Sequence, residues 1–145
     1  MPEIALVVLI GLLGGVAAGV QTPLVGAMSV RVGAMASSLV VHVGGAALSG
    51  ALLLLRGGVP LQQWRSLPWY MIGSGAFGVG LYLSVSQTLP RLGATSALVL
   101  IVVGQLVAGL VIDHFGLLGI PERPLDLSRL VAVALLMAGA YLAVR

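Results

Sequence analysis

Residues 94–115 read ATSALVLIVVGQLVAGLVIDHF, and this stretch carries no charged side chain before Asp113. An α-helix needs about 20 apolar residues to cross the roughly 30 Å hydrocarbon core of a bilayer. Four further stretches of the 145-residue chain have the same length and character. The five predicted helices cover residues 4–28, 34–55, 67–89, 94–115 and 127–144. The predicted fold class is therefore an all-α integral membrane protein, with one five-helix domain over residues 1–145.

Composition supports a membrane protein and excludes several other classes. The chain is 59% hydrophobic and 8% charged, whereas soluble domains are about 25% charged, so a soluble protein of this composition could not cover its surface with charge. The net charge of +3 comes from seven arginines and four acidic residues without a basic cluster, which argues against nucleic acid as a partner. The chain has no cysteine, so disulfides and thiolate metal sites are excluded.

The ends of the predicted helices carry recognisable signals. Gly116 predicts that the helix of residues 94–115 ends at this glycine. Asp126 or Ser128 is expected to cap the last helix, because both side chains accept hydrogen bonds from free backbone N–H groups. The connections that contain Arg31 and Arg91 are very short, which predicts two tight helical hairpins.

The arginines divide almost evenly between the two sides of the membrane if the chain crosses it five times. Four fall on the side of the N-terminus: Arg56, Arg65, Arg123 and Arg129. Three fall on the other side: Arg31, Arg91 and Arg145. Orientation is normally set by an excess of Lys and Arg in cytoplasmic loops, and here that excess is nearly absent. We therefore expect insertion in both orientations and an antiparallel homodimer, or pairing with an oppositely oriented paralogue.

Polar side chains fall on definite faces of the first four predicted helices. The residues expected to line a substrate cavity are Gln21, Ser38, His42, Ser84, Gln87 and Gln105. Ser38, His42 and Ser49 share one face of the second helix, since they follow i, i+4, i+11 spacing. The alternative is that the polar groups, Gln21 and Gln105 above all, only join neighbouring helices by hydrogen bonds. The fifth helix has almost no polar side chain and is expected to be peripheral or a dimer contact.

Three titratable residues are candidates for a proton-coupled or gating role: His42, Asp113 and His114. His42 lies near the middle of its apolar run, and its alternative is a hydrogen-bonded core histidine. Asp113 and His114 end the fourth helix, where helix capping or ion pairing is the alternative to a proton relay.

Glycine is abundant inside the apolar runs, with 21 in the chain. The glycines expected at helix-packing surfaces are Gly11, Gly15, Gly19, Gly73, Gly80 and Gly109. Small residues let helices approach closely in lipid, and such faces also suit the sliding that alternating access requires. A weak repeat at an offset of 60 pairs Val25 with Val85 and Gly33 with Gly93. It indicates either two related hairpins or merely shared composition.

The sequence shows no set of nucleophile, base and orienting residue, no metal-ligand cluster and no phosphate-binding loop. An enzyme, a metal site and a cofactor are therefore not expected.

Residues 104–121, GQLVAGLVIDHFGLLGIP, resemble the GQ…DHFG…P signature of the YdcZ-like family of five-helix bacterial inner-membrane proteins. Residues 19–23, GVQTP, with residues 31–33, RVG, resemble the first-helix pattern of that family. The resemblance implies membership of the drug/metabolite transporter superfamily, beside the four-helix small multidrug resistance exporters. It places four residues at motif positions: Gln21, Gln105, Asp113 and His114. Those exporters keep an acidic residue in the first helix where this chain has Gln21, so their substrate class is not carried over.

Together these features predict a multi-pass protein of the bacterial inner membrane. The predicted function is secondary transport of a small metabolite or drug-like molecule by alternating access in an inverted dimer. The alternative is a non-transporting membrane subunit or assembly partner, whose polar faces bind another protein.

Overall fold

A computed structural model of the protein describes residues 2–58 and 61–145, and in these two ranges every regular element is a helix. The elements are α1 (Pro2–Val32), α2 (Ala34–Leu55), α3 (Leu61–Arg65), α4 (Trp69–Ile72), α5 (Gly75–Phe115), a 3-10 helix (Leu117–Gly119) and α6 (Leu127–Val144). Several of these helices are long and strongly apolar, which confirms the predicted all-α membrane class.

Four helical stretches of the described chain are long and apolar enough to span a membrane: Ile4–Val32, Ala34–Leu55, Trp69–Phe115 and Leu127–Val144. The second and fourth coincide with predicted helices, and the first continues four residues beyond the predicted end at residue 28. The third contains 47 residues and covers both predicted helices 67–89 and 94–115. The third stretch is not one uninterrupted helix, because non-helical Gly93 lies between the two predicted helices, so the five-helix division stays a prediction.

Two interruptions lie within the long third stretch. The predicted helix 67–89 is not continuous, because α4 ends at Ile72 and α5 begins at Gly75. Bonds of the i to i−3 type connect this turn, from Ser74 N to Met71 O at 3.2 Å and from Phe77 N to Ser74 O at 3.1 Å. Glycine and serine are poorer helix formers than alanine or leucine, which explains a turn here. The second interruption is Gly93, whose φ of 80° and ψ of 169° are not helical.

The chain forms two compact units, Met1–Pro90 and Arg91–Arg145. In the first unit, α1 and α2 form a hairpin that turns at the single residue Gly33. This residue has a φ of 85° and a ψ of 157°, a combination that side chains with a Cβ rarely adopt. Backbone bonds continue through the turn, from Gly33 N to Ser29 O at 2.9 Å and from Ser37 N to Gly33 O at 3.0 Å.

Small side chains form the centre of this first unit. Val25 of α1, Ser37 of α2 and Val85 of α5 are almost fully buried. A Cβ atom added at Gly26 would lie 2.9 Å from both terminal methyl groups of Leu89, so α1 and α5 approach closely at this glycine. The Ser37 hydroxyl donates to Ala34 O at 2.9 Å, which satisfies the buried group within its own helix.

The second unit joins the last arm of α5, residues 94–115, to α6. The Ser96 hydroxyl donates to Ala143 O at 2.6 Å and ties one end of the pair. Gly116 adopts the left-handed conformation directly after α5, which confirms the predicted stop. Asp126 caps α6 by accepting a hydrogen bond from Arg129 N at 2.8 Å, so the cap is Asp126 rather than Ser128.

Candidate functional site

The predicted cavity residues Ser38 and His42 meet in the first unit. His42 Nδ1 lies 2.7 Å from Ser38 O and 3.4 Å from Ser38 Oγ. A carbonyl oxygen can only accept a hydrogen bond, so the Nδ1 atom carries the proton. In the neutral ring, Nε2 is then a free acceptor. Ser38 itself is buried, whereas the His42 side chain is half-buried.

The other side of the His42 ring faces α5. A Cβ at Gly78 would lie 2.7 Å from His42 Nε2, so the imidazole occupies the space that this glycine leaves. Tyr82, one turn further along α5, meets the ring edge to face with centroids 5.4 Å apart. Neither Gly78 nor Tyr82 was among the predicted cavity residues. With Val85 and Leu89 they form one row at i, i+4, i+7, i+11 spacing, and this row was the available signal for the packed face of α5.

The remaining polar residues predicted for this unit do not join that cluster. Ser84 and Gln87 are exposed on α5 and lie on the opposite side of the helix from the row of Gly78 and Val85. Gln21 is also exposed, one turn before the buried Val25 on α1. The structure thus divides the predicted residues of this unit into a contacting pair and three exposed side chains.

The glycines predicted for helix packing also have free space around them. A Cβ would meet no atom within 4 Å at Gly11, Gly15, Gly19, Gly80 and Gly109. Gly73 has only backbone oxygens of its own turn nearby, the closer one at 3.4 Å. The tightest glycine contacts within the described chain are at Gly26 and Gly78. A helix-packing role for the six predicted glycines stays a prediction.

An open groove in the second unit brings two of the predicted site residues, Gln105 and Asp113, together with Arg129. It has a volume of about 280 Å³ and lies between residues 94–115 and α6. Gln105, Gly109 and Asp113 follow one another at four-residue spacing along one wall. Arg129 and Val133 belong to the other wall, together with Ala132 and Leu136. The last helix forms half of this groove and is otherwise largely exposed, so its predicted role as a peripheral helix or dimer contact stays a prediction.

Asp113 and Arg129 form an ion pair at one end of the groove, with 3.3 Å between Oδ2 and Nη1. Both side chains are about one-third exposed, and ion pairs of this kind contribute about 0–1 kcal/mol. Asp113 lies in the last turn of α5 and Arg129 in the first turn of α6. Each charge therefore faces the unfavourable end of its helix dipole, an effect of about 0.3–1 kcal/mol apiece. Helix stability alone does not account for this arrangement.

The loop after α5 is held by bonds that do not need this ion pair. Arg123 N donates to Asp113 O at 2.7 Å, and Leu125 N donates to His114 Nδ1 at 3.3 Å. His114 Nδ1 is thus an acceptor, and its ring also lies 4.6 Å from the ring of Phe115. Arg129 adds a longer contact of 3.4 Å from Nη1 to Arg123 O. His114 therefore has a visible structural role at the end of α5.

Fold and groove define a class: a helical integral membrane protein with a small, mainly apolar groove that has polar groups at both ends. Residues 6–142 match the family described as "Putative inner membrane exporter, YdcZ". The match covers nearly the whole chain, and the protein belongs to this family and to the inner membrane. No match was found among curated proteins or among solved structures. Among the described residues, no group of three His, Cys, Asp or Glu side chains could hold a metal ion.

Proposed function

We propose that the protein is a secondary transporter that moves a small metabolite or drug-like molecule by alternating access, as an inverted homodimer. The observation that carries this proposal is the exposure of polar side chains on strongly apolar helices. Gln21, Ser84, Gln87 and Gln105 are all exposed in the single chain. Polar side chains within membrane helices usually face a bundle interior or a water-filled cavity, because lipid offers them no partner.

The proposed arrangement has five membrane crossings, with a reversal at Gly93. The 41 residues of α5 would be about 60 Å long if straight, roughly twice the thickness of the hydrocarbon core. Gly93 has almost the same dihedral angles as Gly33, the residue at which the α1–α2 hairpin turns. The residues at an offset of 60 also match in burial, since Val25 and Val85 are both buried.

A second, inverted copy supplies the partner for the exposed polar faces. The near-even arginine split permits both orientations, and two copies would place two sets of polar groups around one axis. The glycines with free space at Gly11, Gly15 and Gly19 would lie at surfaces where another helix can approach and slide. His42 would sense motion of α5, because its ring contacts both Gly78 and Tyr82.

Accessibility of single cysteines tests the cavity. The chain has no native cysteine, so each variant carries one reactive thiol. We expect Ser84→Cys, Gln87→Cys and Gln105→Cys to react with small membrane-impermeant thiol reagents. Leu135→Cys, at an exposed apolar position of α6, is the matched control and should stay unreactive. If the three polar positions are as unreactive as Leu135→Cys from both sides, they face lipid or a protein partner, and the protein is then a non-transporting subunit.

Reporter fusions at the C-terminus test the inverted dimer separately. Reporters specific for each compartment should both be active, and one or two added lysines in a loop should shift the balance. A single fixed orientation would refute the homodimer and favour pairing with an oppositely oriented paralogue.

A further inference from the structure

The groove of the second unit contains two opposite charges and an apolar body, and this combination restricts what can bind there. Asp113 and Arg129 lie at one end. The walls beyond them are apolar, with Leu106, Leu110, Val133 and Leu136. Gln105 lies two helical turns from Asp113, about 12 Å along the helix. From this arrangement we infer that the groove binds a small zwitterion with an apolar body, of the apolar α-amino acid class. The inference rests on the proposed transport function and names its substrate class.

Charge balance selects the zwitterion over a simple cation or anion. An amine that pairs with Asp113 would displace Arg129 and leave the guanidinium without its partner. A carboxylate that pairs with Arg129 would leave Asp113 unpaired in the same way. A zwitterion exchanges the one ion pair for two, since its ammonium meets Asp113 and its carboxylate meets Arg129. Leaving a partly buried charge without a partner is unfavourable, so the exchange that pairs every charge is favoured.

The ion pair is free to make this exchange without unfolding the loop beside it. Arg123 N on Asp113 O and Leu125 N on His114 Nδ1 hold the loop without the ion pair, whereas Arg129 Nη1 adds only a longer contact of 3.4 Å to Arg123 O. Both charged side chains are partly exposed, so a ligand can reach them from the groove. Their placement against the helix dipoles also means that the pair does not stabilise these two helix ends through the dipoles.

Size restricts the ligand further. Pockets for drug-sized molecules have volumes of about 300–1,000 Å³, and this groove is just below that range at about 280 Å³. A molecule of the size of leucine suits the apolar section between the ion pair and Gln105. A longer apolar side chain would reach towards the Gln105 amide at the far end.

The test is a calorimetric titration of the purified full-length protein in detergent with leucine and two matched analogues. The first, 3-methylbutylamine, is leucine without its carboxylate, and the second, 4-methylpentanoate, is leucine without its ammonium. We expect leucine to bind at least about tenfold more tightly than either analogue, because only leucine pairs both charges. Equal affinity for the three ligands, or no binding of leucine, would overturn the inference.

Variants locate the ligand in the groove. Val133→Trp fills the apolar section and should weaken leucine binding by about tenfold or more. Val131→Trp is the control, because Val131 lies on the same helix outside the groove and is exposed. Unchanged binding in Val133→Trp, or equal losses in both variants, would contradict the assigned site. This pair leaves the charged residues intact, so it remains informative if the charge variants do not fold.

Two charge variants should reverse the preference among the ligands. Asp113→Asn leaves Arg129 alone, so 4-methylpentanoate should now bind better than leucine. Arg129→Gln leaves Asp113 alone, so 3-methylbutylamine should bind better than leucine. If the ion pair has only a structural role, both variants should lose affinity equally for all three ligands. That result would refute the inference. If leucine does not bind but Gln105→Cys reacts with the thiol reagents, this substrate class is refuted and the transport proposal stands. If leucine binds but the cysteine variants do not react, the cavity and the transport proposal are refuted, whereas the binding site stands.

Discussion

The contact between His42 and Gly78 makes a quantitative prediction about stability. A methyl group at Gly78 would lie 2.7 Å from His42 Nε2, too close for any real Cβ, so Gly78→Ala must move the imidazole. The movement would disrupt the bond from Nδ1 to Ser38 O, which contributes about 0.5–1.5 kcal/mol. It would also disturb the edge-to-face contact with Tyr82, which contributes about 0.5–1.5 kcal/mol. The two losses together amount to about 1–3 kcal/mol of unfolding free energy.

Gly80→Ala is the matched control on the same helix. A Cβ at Gly80 meets nothing within 4 Å, so this variant shows only the gain in helix propensity, about 1 kcal/mol. Since Gly78→Ala receives the same gain, the difference between the two variants isolates the clash. We expect Gly78→Ala to be less stable than Gly80→Ala by about 1–3 kcal/mol, measured by reversible unfolding in mixed detergent micelles with circular dichroism.

A double-mutant cycle assigns the effect to the histidine. In a His42→Ala background the ring that the new methyl group meets is gone, so Gly78→Ala and Gly80→Ala should have nearly equal stability. Equal stability of the two variants in the presence of His42 would refute the close contact. A difference that persists after His42 is removed would show that the methyl group meets something other than the imidazole.

Three further predictions use the same unfolding measurement. Gly33→Ala should lower the free energy of unfolding by about 1–3 kcal/mol, because residue 33 has a φ of 85°. Gly14→Ala is the control, because Gly14 lies within a helix and has free space around it, and it should not destabilise the protein. Equal effects of the two substitutions would contradict the strained turn. Asp126→Ala should lose about 0.5–2 kcal/mol through the missing cap on α6, and Asp126→Asn should restore most of it; if the asparagine variant is no more stable than the alanine variant, the cap is not the cause. Ser96→Ala should lose about 0.5–1.5 kcal/mol with its bond to α6, and the exposed Thr95→Ala should lose less; a larger loss at Thr95 would count against that bond.

Hydropathy and local turn chemistry predicted much of the fold. The ranges 34–55 and 127–144 coincide with α2 and α6, because a long apolar run allows only one hydrogen-bonded conformation in lipid. Gly116 and Asp126 were recognisable because their roles depend on their own backbone and side chain. The turn at Gly73 and Ser74 was not predicted, since hydropathy averages over about 20 residues and is insensitive to a two-residue interruption.

Tertiary contacts were harder to predict, for a physical reason. Periodicity shows which residues share a face but does not show which face meets another helix. On α5, the polar residues Ser84 and Gln87 were predicted to face a cavity. The face that packs against other helices is the opposite face, which contains Gly78 and Val85. The groove was missed because half of it comes from α6, whose groove-lining side chains apart from Arg129 are all apolar. A cavity wall needs no polar residue, so composition gave no signal for it.

The pattern of buried and exposed side chains in this chain is the reverse of that in a soluble protein. For this reason the exposed polar side chains, rather than the exposed apolar ones, require an explanation. The most buried side chains are small, among them Ser37 and Val85, while Leu54, Leu135 and many other large apolar side chains are exposed. Lipid solvates those large side chains as well as a protein core would, so helices pack through small residues and satisfied hydroxyls. An exposed leucine therefore needs no partner here, whereas exposed Gln87 and Gln105 do. In the proposed transporter, the exposed glutamines have three kinds of partner: the second copy of the chain, the water of the cavity and the substrate.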